Sequence, residues 1–292
     1  MLTSHLVVAL IALVVIGGAT RVMEAGLACP DWPLCYGVLL PGRQMNMRVF
    51  LEWFHRLDAF LVGLALLTLL VASIWRRRQL PVWLPWLAGL SVGLVALQGA
   101  LGALTVTQLL AAPMVTAHLA TALVLLVLTC CIDQGLVVGA LPAQPRPLWW
   151  VVLPLVPAIL VFAQCVVGGA MASQWAVDHC FNFGNQCEWV WRHRLLAVPA
   201  ALSVVAMAAL SLLSPLADSL SRGLAVAAAA LVGGQVWLGW LTLRAQLHWP
   251  VLTIGHQLLA ALLIATLGAL CGRTLHAGFR RSAVPSLEVS CG

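Results

Sequence analysis

Within the run Leu51-Glu52-Trp53-Phe54-His55-Arg56, an acid, an imidazole and a guanidinium stand beside two aromatic rings at the mouth of a long apolar stretch. Residues three apart share one face of a helix, so Glu52 and His55 point the same way and can act on one bound molecule. Ionisable groups beside an apolar run are costly without partners, and such a cluster marks a ligand or a proton path. The chain carries a second version, Glu188-Trp189-Val190-Trp191-Arg192-His193-Arg194. Two more histidines complete the pattern, because His55 and His118 stand as far apart in sequence as His193 and His256 do. Imidazole supplies acid–base chemistry or a metal ligand, and four at repeated spacing favour the second.

The elements that position these residues are membrane helices. Of 292 residues, 62% are hydrophobic and 8% charged, more apolar side chain than one soluble core can bury. Continuous apolar runs fall near 5–22, 51–74, 83–106, 113–132, 149–171, 191–213, 223–243 and 250–271. Eight spanning helices are expected, and the runs lack the short alternating segments of a barrel. Every basic residue is Arg, and there is no basic tract of the kind that binds nucleic acid. With the N-terminus inside, Arg76, Arg77, Arg78 and the tail arginines lie on the inner side, which sets both termini in the cytoplasm. Arg21, Arg56, Arg192 and Arg194 then gather at outer helix mouths near the two clusters.

Cys29 and Cys35 fall in one outer loop and Cys180 and Cys187 in another, each pair close enough for a short-loop disulfide in an oxidising compartment. Unpaired thiols or a metal site are the alternatives, the latter weakened by the lack of a two-residue zinc spacing. Cys130, Cys131, Cys165 and Cys271 sit in apolar runs and are expected to pack.

The first apolar run has no basic segment before it and no convincing cleavage pattern, so it is taken as helix one. The following Pro- and Gly-rich loop, through Pro41-Gly42-Arg43, is long for a membrane connector, a feature of functional loops and of simple caps alike. Gln98-x-x-x-Gly102-x-x-Thr105 and Gln235-x-x-x-Gly239-x-x-Thr242 match each other and read as helix packing. Pro142, Pro145 and Pro147 mark a boundary. The expected division is an N-terminal four-helix unit over 1–135, an inner linker over 136–148, a C-terminal four-helix unit over 149–272 and an inner tail over 273–292. Each unit has an even number of spans, so the fold expected is all-α, two tandem four-helix bundles related as a parallel repeat.

In that topology all four histidines lie near the outer ends of helices two, four, six and eight. Two facing imidazoles in a bundle core suit a haem iron, with arginines for its propionates. Zinc is short of ligands, since Glu52 has no counterpart at the matching offset before His193. A proton relay also uses intramembrane acid and His, but does not need one His pair per unit. The extra acid beside His55 suggests one site for chemistry and one for an auxiliary haem.

Gly17-Gly18-Ala19-Thr20-Arg21, the segment Ala25-Gly26-Leu27-Ala28-Cys29-Pro30-Asp31-Trp32-Pro33-Leu34-Cys35-Tyr36-Gly37 and Glu52-Trp53-Phe54-His55-Arg56 together resemble the haem A synthases, as do the histidines of helices four, six and eight. The pattern departs from the commoner Thr-Arg-Leu-Thr at Thr20-Arg21-Val22-Met23. The resemblance implies oxidation of the C8 methyl of haem O to a formyl group, through hydroxymethyl haem (haem I), giving haem A for terminal oxidases. It implies substrate haem near His55 and His118 and a haem b cofactor between His193 and His256. Catalysis would fall to Glu52 and His55, and the propionates to Arg21, Arg56, Arg192 and Arg194. Implied partners are haem O, the haem O synthase (protohaem farnesyltransferase), membrane lipid and an electron acceptor, in a bacterial plasma membrane with the cysteine loops outside; a homo-oligomer is left open. From other classes, a di-haem b carrier exchanging electrons with quinone and a haem transporter or chaperone use similar residues.

Overall fold

The computed structural model describes residues 1–139 and 147–279. Pro142 and Pro145, most of the expected linker and most of the expected tail lie outside them. The described residues are helical almost throughout: α1 Leu2–Val22, α2 Met47–Trp75, α3 Leu84–Thr107, α4 Ala112–Gly139, α5 Leu148–Val152, α6 Leu155–Ser173, α7 Ala176–Phe183, α8 Cys187–Leu213, α9 Ser219–Arg244 and α10 Pro250–Phe279. Among the described residues, eight segments are long and apolar enough to cross a membrane, α5 and α6 together forming the fifth. The protein is a multi-pass membrane protein.

Several boundaries differ from those expected, each for a local reason. Helix α2 begins at Met47 because the Asn46 side chain accepts from the backbone N–H groups of Arg48 and Val49, at 3.0 and 3.1 Å. Helix α10 starts on Pro250, whose missing N–H is no loss in a first turn. The fifth span is interrupted at Leu153 and Pro154. The connector before α8, expected as a loop, contains α7 and with it His179. The four histidines therefore do not open their helices but lie about two turns inside them.

Helix α1 packs on α2 and α4, and α3 on α2 and α4, while α8 packs on α6 and α9, and α10 on α6 and α9. Contacts of α4 with α10, α4 with α6 and α1 with α10 join the two sets, that of α4 with α10 being the most extensive. Its closeness comes from Gly268 and Gly272 on α10. A Cβ at Gly272 would lie 2.7 Å from Cys131 Cα, and one at Gly268 3.2 Å from Val127 Cα. Small residues four apart let backbones approach where lipid supplies no hydrophobic drive. Cys131 and Cys130 belong to this seam, with the Cys131 thiol donating to the Gly268 carbonyl at 3.3 Å. Leu66, Leu126, Val204, Ile264 and Leu267 fill the core around it.

The helix ends remote from the histidines are tied by polar groups. Arg273, 5% exposed, donates to Asp218, to Ser221 Oγ at 3.2 Å and to Gln134 Oε1 at 3.0 Å. Gln134 donates to Asp133 at 3.1 Å, and Asp133 accepts from Thr3 and Ser4 at 2.7 and 2.8 Å. The chain of bonds crosses α10, α4 and α1 and reaches the cap of α9. Burial works against the Asp218 charge, yet hydrogen bonds from Ser221 and the Arg273 guanidinium hold its carboxyl below the ordinary carboxylate range.

Candidate functional site

At the opposite ends the histidines meet in two pairs. His55 of α2 faces His118 of α4 with ring centres 6.4 Å apart and planes at 78°. His193 of α8 faces His256 of α10 at 6.5 Å and 74°. Each ring lies against a glycine of a neighbouring helix. A Cβ would stand 2.8 Å from His55 Cε1 at Gly17, 3.6 Å from His118 Cε1 at Gly102, 2.8 Å from His193 Cε1 at Gly168 and 3.1 Å from His256 Cε1 at Gly239. The helix backbones thus form one wall of each imidazole slot, and a larger residue at Gly17 or Gly168 would displace the ring.

Gln98 donates its Nε2 to the His118 carbonyl at 3.0 Å, and Gln164 donates to the His193 carbonyl at 2.9 Å. The Gln98 motif, expected to serve helix packing, therefore also holds a histidine backbone, and its Gly102 walls the ring. Sequence reasoning gave no role to Gln164 or Gly168. The available signals were the recurrence of Gly17-Gly18-Ala19 as Gly168-Gly169-Ala170 and the shared phase of the Gln and His repeats.

The pairs suit a metal ion held between them. Each imidazole lies against the backbone carbonyl one turn before its glycine, Leu13 for His55, Gln98 for His118, Gln164 for His193 and Gln235 for His256, which leaves its other nitrogen for a metal ion. Two imidazoles bound through nitrogen on opposite sides of one metal ion, each about 2 Å from it, have ring centres roughly 6 Å apart, close to the 6.4 and 6.5 Å seen here. No group of three or more His, Cys, Asp or Glu is gathered among the described residues. The donor set of each pair is therefore two imidazoles, which suits an ion whose remaining ligands come from a macrocycle such as haem.

Around His55 the surroundings are built by a loop. Glu52 is 4% exposed. Its Oε2 accepts the Cys29 N–H at 2.8 Å, and its Oε1 accepts Arg56 Nη2 at 2.5 Å. Arg56 Nη1 donates to the carbonyls of Asp31 and Leu34 at 2.6 and 2.5 Å. Cys29 is bridged to Cys35, and the Asp31 carboxylate accepts the N–H groups of Tyr36 and Gly37 at 2.6 and 2.7 Å. Trp53 Nε1 donates to the Leu39 carbonyl at 2.6 Å. Glu52, Trp53 and Arg56 thus fasten a disulfide loop to the helix on either side of His55. Three of the five Arg56 N–H donors are taken by the protein itself, so its first task is to hold this loop.

The second cluster is arranged differently. Glu188 and Arg192 form an exposed pair at 3.4 Å, with Arg192 at 5.2 Å from the Trp189 ring. Val190, three residues before His193, is buried. Cys180 is bridged to Cys187 and joins α7 to the start of α8. Arg194 is exposed. Arg21 reaches from α1 to the far end of α6, donating to the Ala172 carbonyl at 2.8 Å with its guanidinium 3.7 Å over the Trp175 ring. The His179 ring is tilted at 44° to Phe183 with centres 5.7 Å apart, and His248 Nδ1 lies 3.0 Å from the Ala245 carbonyl.

The sequence profile of the COX15-CtaA family, described as cytochrome oxidase assembly protein, matches residues 1–188. A haem A synthase of Methylorubrum extorquens (strain PA1) is 31% identical over 92% of this chain and 85% of its own length. The chain belongs to the COX15-CtaA family of haem A synthases. Relatives in the family from Sphingopyxis alaskensis and Caulobacter vibrioides, both haem A synthases, are 29% and 28% identical. They cover 96% and 90% of this chain and 92% of their own length. The family profile spans the Cys29 loop, Glu52 and the first histidine pair, while the second pair lies in the part covered by the full-length relatives.

Proposed function

We propose that this protein is a haem A synthase, oxidising the C8 methyl of haem O to a formyl group through hydroxymethyl haem. The observation that carries the proposal is the coincidence of two facing, slot-bound imidazole pairs with a buried acid beside only one of them. The helices fall into two tandem four-helix units, 1–135 and 149–272, a division supported by the contacts of α1 to α4 with one another and by the matching glycine and histidine registers. The arginine triplet Arg76, Arg77 and Arg78 supports an orientation with both termini in the cytoplasm and both disulfide loops outside.

In this reading His55 and His118 hold the substrate haem, and His193 and His256 hold a haem b cofactor. Bound haem supplies the redox chemistry, while the chain binds, orients and shields it. Gly17 and Gly102 set the imidazole planes, and the Cys29 loop closes the first site toward the outside. Glu52 shares a helix face with His55 and takes or relays protons as the methyl carbon is oxidised. A carboxylate offers about four lone-pair sites, so the bonds from Cys29 and Arg56 leave Glu52 room for a further donor. Arg21, Arg192 and Arg194 are the propionate partners at the helix mouths, with the unused Arg56 donors beside them. The haem O synthase is the natural donor of so apolar a substrate, and the reaction further requires an acceptor for the electrons released and a source of the formyl oxygen.

The experiment is to express the chain in cells that make haem O but not haem A and to extract the porphyrins. Formyl haem is expected. Unchanged haem O, with both low-spin signals present, would replace the synthase by a di-haem b electron carrier.

A further inference from the structure

Each Gly-Gly pair touches both sets of helices. Gly17 faces His55, but Gly18, one residue on, faces Gln257, the neighbour of His256 on α10. Gly168 faces His193, and Gly169 faces Leu119, the neighbour of His118 on α4. The contacts are reciprocal: the residue after the second histidine of one unit presses on the glycine beside the first histidine's slot in the other. They run through α1 against α10 and α4 against α6, two of the joins between the sets.

The two crossings differ in chemistry. At Gly169 the visitor is a Leu119 methyl, 2.6 Å from where a Cβ would stand. At Gly18 it is the Gln257 carboxamide, whose Oε1 lies 1.8 Å from where a Cβ would stand and is buried with no partner among the described residues. Packing alone is served by leucine, as the other crossing demonstrates. The same unpartnered state recurs at Oε1 of Gln164 and Gln235, so what sets this crossing apart is the closer approach of the carboxamide, 1.8 Å against 2.6 Å, which brings Gly18 nearer its visitor than leucine brings Gly169.

We propose that Gln257 is a positioning residue of the His55–His118 site, supplied by the unit that carries His193 and His256. Its carboxamide fixes Gly18 against α10, and through the adjacent Gly17 it fixes the wall on which the His55 ring rests. A displacement of α10 at His256 is thereby passed to His55 through residues 256, 257, 18 and 17. The inference rests on the reading of the first pair as a haem site, and its test separates the two.

The test is haemin uptake by the full-length protein in detergent, purified with its second site filled and followed by the absorption of the added haem. His55→Ala abolishes the added uptake if the first pair binds haem. Gln257→Leu, which copies the Leu119 crossing, is expected to weaken uptake at the first pair five-fold or more, the lower range of measured site-to-site couplings, while the second-site low-spin signal stays at wild-type intensity. Gly18→Ala places a methyl where Oε1 stands, pushes Gln257 aside without changing it, and should reproduce the same loss. If His55→Ala abolishes uptake while both other variants bind as wild type, Gln257 has no part in the first site and the proposal fails alone. A loss confined to the second-site signal would also overturn it, assigning Gln257 to its own unit. Uptake unaffected by His55→Ala would remove the haem reading of the first pair and the inference with it.

Discussion

The two histidine pairs are nearly superposable in their own geometry and unlike in what surrounds them. Ring separations differ by a tenth of an ångström, and each first histidine lies against a glycine at the same 2.8 Å. Three residues before His55, however, stands a buried carboxylate that accepts from a loop N–H and from Arg56; three residues before His193 stands Val190. The acid of the second cluster, Glu188, is one turn before Arg192 and faces outward with it. A shift of two residues along a helix moves a carboxylate from the binding face to the exterior. The paired histidines are thus repeated while the inward acid is not, and in the proposed function that difference separates a reaction site from a holding site.

The largest effect is expected from removing this difference. Glu52→Gln keeps the size and an oxygen for the Cys29 N–H, and leaves Arg56 its two carbonyl partners, so the loop stays in place. It removes the anion and its capacity for protons. Haem A output should fall by about a hundred-fold or more, with substrate haem or its half-oxidised form accumulating and the second-site spectrum intact. Porphyrin extraction and absorption spectroscopy on the same preparation check both halves of the statement. Output near the wild type would take Glu52 out of the chemistry and leave it as the anchor of a loop.

An intermediate effect comes from the glycine walls, and here the two sites should behave alike. Gly17→Ala places a methyl 2.8 Å from His55 Cε1, and Gly168→Ala does the same at His193. Each ring must move, at an overpacking cost of about 1–3 kcal/mol. Gly17→Ala should weaken haem at the first pair roughly ten-fold or more and spare the second; Gly168→Ala should do the reverse. Gly102→Ala, with 3.6 Å available, should be tolerated at its own pair. Separate haem titrations of the three variants decide this, and a Gly17→Ala protein that loses the second signal instead would break the assignment of glycines to sites.

The eight spans were legible because lipid demands long apolar runs, and the matched histidine spacings were legible because the chain repeats itself. Helix starts were not: Asn46 caps α2 ahead of its apolar stretch, and an apolar window begins only where the polar first turn ends. Helix α7 was hidden because it is short and begins and ends in left-handed turns, at Trp175 without glycine and at Gly184 with it. The glycine walls were hidden for a different reason. A glycine's neighbour is a tertiary fact, and Gly17 reads in sequence as a flexible or close-packed point in a helix. Gln98 does join two helices as its motif implies, but its partner was hidden, since an amide that packs between helices and one that grips a histidine carbonyl have the same spacing.

The smallest effect is expected from Glu188→Gln, and it tests the comparison from the other side. Glu188 and Arg192 are a one-turn pair on the surface of α8, with side chains 65% and 60% exposed. Such pairs contribute about 0–1 kcal/mol, because water and the entropy of two long side chains offset the attraction. The position in the first turn of α8 adds a favourable term with the helix dipole of about 0.3–1 kcal/mol. Neither contribution bears on His193, whose carbonyl is held by Gln164 and whose ring rests on Gly168. Glu188→Gln should therefore lower thermal stability slightly and leave the second-site spectrum and haem A output at wild-type levels. The measurement is output of Glu188→Gln beside Glu52→Gln in one background. Equal losses would mean that the carboxylates act as equivalents and that burial near His55 is not what distinguishes the sites. A full response at Glu52 with none at Glu188 would locate the chemistry in the one unit where an acid is turned inward.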